Sequence, residues 1–433
     1  MARRHLQIAF FALLATTALH PQTQKPSGLP DESAPAIADV YRSNTLTLGL
    51  GISNEFDDNA FNDNRKKQAN LMLVIDPHLT WKVSRPRLEW TLSYSNGFSS
   101  SQQVSAYNSQ SHLLDFGLWY RPTKRLRFAF SNTFLNSTNP FDFFHGTGSG
   151  TGGGPSNQPN DFLLTASAHR TSEQARAEST YALSPHGTVG VSGSFLSLRY
   201  GQGTSTQLPL QFLGDESSAG GGIFYSHHLS RRQWARVDYG VQRMTFIDRS
   251  SFVQRVFYTH TISLSPGGEL SIFAGPERAA TDRSGIVRFP LSGISELPAR
   301  WHWAAGATYN WSAAGTRLAL GLYRQISNES GLLGAVSLSS VTAELHRPIT
   351  PRWTADLAGA YDRNATLDLP RSTLSFVWAA AGLTRPLNRD MTITFKYWRV
   401  HQSADSPGLG SLAADHNRFS VSLGYDFRAR LGR

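Results

Sequence analysis

The stretch His112–Ser131, HLLDFGLWYRPTKRLRFAFS, most narrows what this chain can fold into. Leu114, Phe116, Leu118 and Tyr120 fall on alternate positions, with Asp115, Gly117 and Trp119 between them. After Arg121–Arg125, the alternation resumes with Leu126, Phe128 and Phe130 against Arg127, Ala129 and Ser131. Strand side chains point to opposite faces with a period of two, so each half has one apolar face and one polar or small face. Pro122 presets a turn angle and cannot donate to a ladder, so the pair reads as a β-hairpin with one apolar side. A lone hairpin is marginal in water, so its recurrence decides its meaning.

The pattern recurs along the chain. Short breaks at Ser84–Arg87, Arg121–Arg125, Ser184–Gly187, Ser230–Gln233, Ser265–Gly268, Ser312–Gly315, Pro348–Arg352 and Pro386–Asp390 are each flanked by alternating segments. Between them lie longer Gly/Ser/Asn-rich breaks, near residues 57–68, 99–111, 137–172, 200–220, 247–254, 276–300, 324–335, 363–373 and 400–417. Eight short turns join sixteen strands, and the first (Asn44–Phe56) and last (Phe419–Phe427) bring the number to about eighteen. An even number puts both termini on the short-turn side. Short turns at one end, long loops at the other and strands of about 9–11 residues predict an all-β fold. The expected form is a single transmembrane antiparallel up-and-down β-barrel, with short periplasmic turns and long extracellular loops. Closure satisfies every backbone polar group internally, which is the condition lipid imposes. A propeller would show a four-stranded period with its own motif, and none is present. Three registers are ambiguous by alternation alone: Leu196–Arg199, Gly222–His228 and Thr373–Leu383.

Mean hydropathy of −0.31 does not oppose this reading, because alternation averages the apolar half away. The absence of cysteine excludes a disulfide framework, cysteine zinc sites and thiol nucleophiles. A net charge of +10, carried mostly by Arg, suits anionic headgroups or an anion-favouring pore. No basic run sits in a nucleic-acid fold signature, so nucleic acid is not an expected partner. Residues 1–20 read as a signal peptide: Arg3 and Arg4 precede the apolar Leu6–Leu19, with small Thr16 and Ala18 near the cleavage site. Polar, Pro-rich residues 21–43 are a periplasmic lead-in, and 44–433 the barrel.

Trp81, Trp90, Tyr120, Tyr181, Trp234, Trp311, Trp353 and Tyr425 lie close to short turns, where an interfacial girdle belongs. About eighteen strands enclose an aqueous lumen. The polar strand face, and hence the expected pore lining, carries Asp76, Lys82, Glu89, Asp115, Arg127, Arg176, Glu178, Arg236, Asp238, Glu344, Asp356, Lys396 and Asp426. Rings of charge set selectivity; the plainer reading is that these residues pair across strands and solvate the interior. The longest loop, Leu135–Ser172, holds Gly146–Gly154, Pro155 and Asp161. The plainer reading is a flexible outer loop; the sharper one is that it folds into the lumen as a constriction. No helix follows its Gly run, so it is not a phosphate loop.

Asp57, Asp58, Asn59, Asp63 and Asn64 offer oxygen ligands without EF-hand spacing and read as a solvated turn; no metal or cofactor is expected. His260 shares parity with Val256 and Tyr258, which points it at lipid. No placed Ser, His and Asp set stands out, so an enzyme is not expected; a barrel lipase or protease is the least favoured reading.

The ending, Ser420–Phe427 (SVSLGYDF), resembles the outer-membrane insertion signal in Gly424, Tyr425 and Phe427, although six residues, Arg428–Arg433, follow the last aromatic. Gly49–Phe61 (GLGISNEFDDNAF), with repeated LSP and RP turns, resembles outer-membrane β-barrel porin-like families that in some bacteria accompany exopolysaccharide and exosortase loci. The resemblance implies a passive or export-related pore without catalytic residues, placed in outer-membrane lipid by the barrel-assembly machinery. The leading expectation is a channel for small hydrophilic solutes, anionic ones or sugars. The alternative is a barrel serving exopolysaccharide secretion or surface attachment. Oligomeric state is not readable from this pattern.

Overall fold

A computed structural model describes residues 43–61, 64–103, 108–138, 169–201, 215–246, 249–282, 296–327, 334–367, 372–406 and 410–431. The signal peptide, the lead-in up to residue 42 and the expected constriction residues Gly146, Gly154, Pro155 and Asp161 lie outside them. The described chain forms β1 (Ser43–Asp57), β2 (Asn70–Arg85), β3 (Leu88–Ser101), β4 (Ser109–Tyr120), β5 (Leu126–Ser137), β6 (Arg170–Ala182), β7 (Gly187–Tyr200), β8 (Glu216–Ser230) and β9 (Gln233–Thr245). It continues with β10 (Ser250–Ser265), β11 (Gly268–Asp282), β12 (Glu296–Ala313), β13 (Thr316–Ser327), β14 (Val336–Thr350), β15 (Trp353–Thr366), β16 (Thr373–Pro386), β17 (Met391–Ser406) and β18 (Gly410–Arg430). Each strand pairs antiparallel with its neighbours in sequence, and β18 returns to β1, so the sheet is a closed 18-stranded barrel. Strands run from 12 to 21 residues, longer than the span expected for the hydrocarbon alone, because the ladders continue past the apolar band at the long-loop end.

The eight short turns fall where the sequence breaks place them. Four are closed by side-chain oxygens. Thr123 Oγ1 accepts from the Leu126 N–H, Ser184 Oγ from Gly187, Thr350 Oγ1 from Trp353 and Asn388 Oδ1 from Met391, at 2.9–3.1 Å. Such local bonds substitute for ladder bonds at the reversal.

The two faces separate cleanly. In β1, Leu48, Leu50, Ile52 and Phe56 are 41–45% exposed, while Glu55 and Asp57 between them are buried. Register carries the assignment around the ring: Leu48 lies opposite Leu79 and Phe427, and Leu50 opposite Tyr425. The exposed apolar parity is the outer wall, which in a closed barrel meets acyl chains. His260 is on it, and its ring accepts or shares a hydrogen bond with Tyr258 Oη at 3.2 Å. Seven of the eight proposed girdle aromatics are also on outward parity. Trp234 is the exception: it pairs with His228 and Thr261 on the inner face, next to the Arg236 position, because β9 has its apolar parity on Ala235, Val237 and Tyr239.

The ambiguous registers resolve in a consistent way. Leu196 and Leu198 in β7, Phe224 in β8, and Leu374, Phe376 and Trp378 in β16 face inward and are buried. In these segments large apolar side chains take the inward parity, and in Leu196–Arg199 the outward positions are polar Ser197 and Arg199, so alternation alone could not orient them. An 18-stranded wall is about 35 Å across at the backbone, from a strand spacing of about 4.8 Å and the usual tilt. Inner residues toward the long-loop end are buried, including Met72, Leu198, Met244, Val253, Leu338 and Val400. Those toward the short turns, such as Lys82, Glu89 and Arg236, stay partly open. The inner wall is therefore covered toward the long-loop end and more open toward the short turns. Two apolar clusters lie in the covered part: Phe376, Trp378, Val400 and Ala414, and Met244, Phe246, Val253, Ala279, Ile326 and Ala335.

Candidate solute pathway

All thirteen charged residues expected on the polar face share the inward parity. Asp76 and Lys82 sit on β2, Glu89 on β3, Asp115 on β4, and Arg127 on β5. Arg176 and Glu178 follow on β6, and Arg236 and Asp238 on β9. Glu344 is on β14, Asp356 on β15, Lys396 on β17 and Asp426 on β18. Many are also paired along the wall. Lys82 Nζ lies 2.8 Å from Glu89, Arg236 2.6 Å from Asp238, and His346 Nδ1 2.7 Å from Asp356. Asp115 accepts from Thr133 Oγ1 at 2.7 Å. The thirteen thus share one parity of the closed ring, and several of them meet partners along it.

The inner charge is uneven around the ring. Arg127, Arg176, Arg236 and Arg255 lie on β5–β10, interleaved with Glu178, Glu216 and Asp238. Glu269, Glu277, Glu344, Asp356 and Asp362 lie on β11–β15. An arginine-rich side facing a carboxylate-rich side sets up a field across the bore, which low-dielectric walls strengthen. Several of these groups were absent from the sequence reading. Glu277, whose Oε2 accepts the Ile326 N–H at 2.8 Å, and Arg255 lie in segments where polar residues also occur on the outer parity. Arg236 is held flat: its guanidinium is 3.7 Å from the centroid of Phe224. Phe224 in turn lies over its register partner Gly190, where any Cβ would collide with the ring.

The bond between His78 Nε2 and Asp426, 2.9 Å long, crosses over β1 at Gly49, the register partner of both residues. Only a residue without a side chain leaves that space open.

The acidic cluster after β1 is a clasp on the closing seam rather than a solvated turn. Asp57 accepts from His416 Nδ1 at 3.0 Å, and Arg418 Nη2 donates to Glu55 at 2.8 Å; all four side chains are buried or nearly so. Asp58 accepts from both the backbone and side-chain amides of Asn417, at 2.7 and 2.6 Å. Asn59 Nδ2 donates to the Asp415 carbonyl, and Asn64 exchanges bonds with Asp415. Asp63 lies outside the described residues. Among the described residues, no serine oxygen meets the second ring nitrogen of His78, His346 or His401, each of which has a carboxylate partner.

Gly424, Tyr425 and Phe427 lie in the last ladder. Tyr425 and Phe427 are outward opposite Leu50 and Leu48, and the ladder runs on through Arg428 to Arg430 against Thr47 to Thr45.

No protein-family model matches the chain, and no curated protein matches it in sequence. Among solved structures, it superposes on Acinetobacter baumannii OccAB4 with a TM-score of 0.43 and 9% identity, covering 90% of this chain and 100% of that one. It superposes on Pseudomonas aeruginosa OccK2 (OpdF) in complex with glucuronate with a TM-score of 0.43, 11% identity, and 90% and 99% coverage. For Pseudomonas aeruginosa OpdK with vanillate the values are 0.42, 9%, 89% and 99%.

Proposed function

We propose that this protein is a non-enzymatic, porin-like channel of the outer membrane for small hydrophilic solutes. In this reading the short turns are periplasmic, the long loops are extracellular, and residues 1–20 direct export and are removed. The observation that carries the proposal is the closed ring itself, apolar and exposed outside, with charges of both signs on its inner parity. Lipid requires such closure, and a mixed-charge bore of this width admits water and polar solutes. The thirteen inward charges named above are the proposed lining. Arg127, Arg176, Arg236 and Arg255 form the basic side along which an anionic solute or a sugar acid would pass. The Gly146–Asp161 stretch is the proposed constriction, and Gly424, Tyr425 and Phe427 the proposed insertion signal read by the assembly machinery.

Planar-bilayer recording under a salt gradient tests this. The native chain should give steady conductance steps, and Arg176→Gln with Arg236→Gln should move the reversal potential toward cation selectivity. No conductance from a correctly folded barrel would sink the channel reading.

A further inference from the structure

The outer wall carries a second pattern, at the upper edge of its apolar band. Arg199 on β7, Arg243 on β9, Arg278 on β11, Arg324 on β13, Arg363 on β15 and Arg399 on β17 all have outward parity. All six are exposed. Each stands near the long-loop end of a strand that rises from a short turn, directly after that strand's run of outward positions. An isolated guanidinium on a lipid-facing wall is costly at mid-membrane and cheap at the headgroup level. Six at one level over eleven consecutive strands therefore mark that level as a surface for anions.

The densest part is built like a lipid site. Ser339 on β14 lies opposite Arg324 on one side and Arg363 on the other, and Arg363 lies opposite Ser375 on β16. This makes one row, Arg-Ser-Arg-Ser, across four strands, with the backbones of its two arginines two strand spacings or about 10 Å apart. Arg324 Nε reaches Ser337 Oγ at 3.3 Å, which leans it across to β14 on the long-loop side of the row. The next outward row toward the short turns is Leu322, Val341, Tyr361 and Val377, each opposite the next and all exposed. A cationic row with hydroxyls thus sits immediately above an apolar row. From β9 to β16, no carboxylate stands among the described outward side chains at this end. At the far edge, on β17, Arg399 meets Asp415 at 3.3 Å and Asp405 is also outward, so among the described side chains the stretch without an outward carboxylate is centred on β13–β16.

We infer that the Arg324–Ser339–Arg363–Ser375 row binds the phosphate-bearing headgroup of an anionic lipid whose acyl chains lie on the row below. The inference rests on the membrane-spanning reading of the barrel and is independent of what passes through its bore. Guanidinium pairs suit phosphate because they present paired donors to its oxygens.

The full chain, purified in a maltoside detergent that carries no phosphate, is titrated with three probes: a bis-phosphorylated lipid A, its dephosphorylated form, and inorganic phosphate. Native mass spectrometry reads retained lipid, and heat-modifiable gel migration reads the folded barrel. Saturable retention of the phosphorylated lipid is expected. Arg324→Gln with Arg363→Gln should weaken it by about tenfold or more. Arg87→Gln with Arg125→Gln, at the short-turn end, should leave it unchanged. Equal retention by the Arg324/Arg363 double variant overturns the inference, as does equal retention of the dephosphorylated lipid. Full competition by inorganic phosphate at matched concentration also overturns it, since the site would then be a plain anion site. A chain that forms no heat-modifiable barrel overturns the membrane reading and this inference with it, whereas a folded, conducting barrel with no phosphate preference overturns the inference alone.

Discussion

At the scale of single residues, the inner wall is shaped by where side chains are missing. Gly49 and Gly51 are both inward positions of β1, two residues apart, and sequence alone gives no reason to rank them. Their surroundings differ. A Cβ at Gly49 would fall within the His78–Asp426 bond, whereas one at Gly51 would meet Asp76 atoms no closer than 3.6 Å, an ordinary contact. Gly49→Ala should therefore destabilise the barrel by about 1–3 kcal/mol, as overpacking does, and Gly51→Ala should be close to neutral. Urea unfolding in detergent micelles, followed by tryptophan fluorescence, compares the two; equal midpoints would show that the His78–Asp426 bridge does not constrain β1.

At the scale of elements, the weak point of any barrel is the seam between its first and last strands, which no hairpin turn holds in register. Here the ladder from Thr45 opposite Arg430 to Asp57 opposite Arg418 is pinned at its upper end by the buried group Glu55, Asp57, His416 and Arg418. Removing the guanidinium takes the cation from buried Glu55 and leaves Asp57 with His416 and the Asn59 N–H. Arg418→Ala should cost about 3–5 kcal/mol, and more than Arg418→Met paired with Glu55→Gln, which takes away charges of both signs. Loss of heat-modifiable migration at a lower temperature is the readout, and equal loss in both variants would put the effect down to packing. The strands themselves were legible because alternation needs only two environments, oil and water. Eight turns, eighteen strands and the thirteen inward charges follow from that contrast. What alternation could not orient were Leu196–Leu198, Phe224 and Phe376–Trp378, because there the inner face is itself buried and carries large apolar side chains. The seam clasp was hidden for another reason. Asp57 and Asp58 find their partners about 360 residues away, at His416 and Asn417, and no local spacing records a contact across ring closure.

At the scale of the whole molecule, the bore has two regimes in series. Near the short turns the charged wall is open, with Lys82 and Glu89 each near half exposure. Toward the long loops the wall is buried and partly apolar, with Phe376 and Val400 almost fully covered and Trp378 close to it. In a series path the narrow part sets the resistance, while the charged part sets which ions enrich at its mouth. The two ends should then separate under mutation. Trp378→Ala opens the narrow half and should raise single-channel conductance by roughly a quarter or more with little change in reversal potential. Lys82→Gln with Glu89→Gln removes a neutral pair from the wide half and should leave conductance nearly unchanged. Single-channel recording at high salt, where screening shrinks the contribution of fixed charge, isolates the geometric part. If Trp378→Ala conducts like the native chain while the Lys82/Glu89 variant does not, the narrow half lies elsewhere, and the burial at the long-loop end is packing beside the path instead of packing across it.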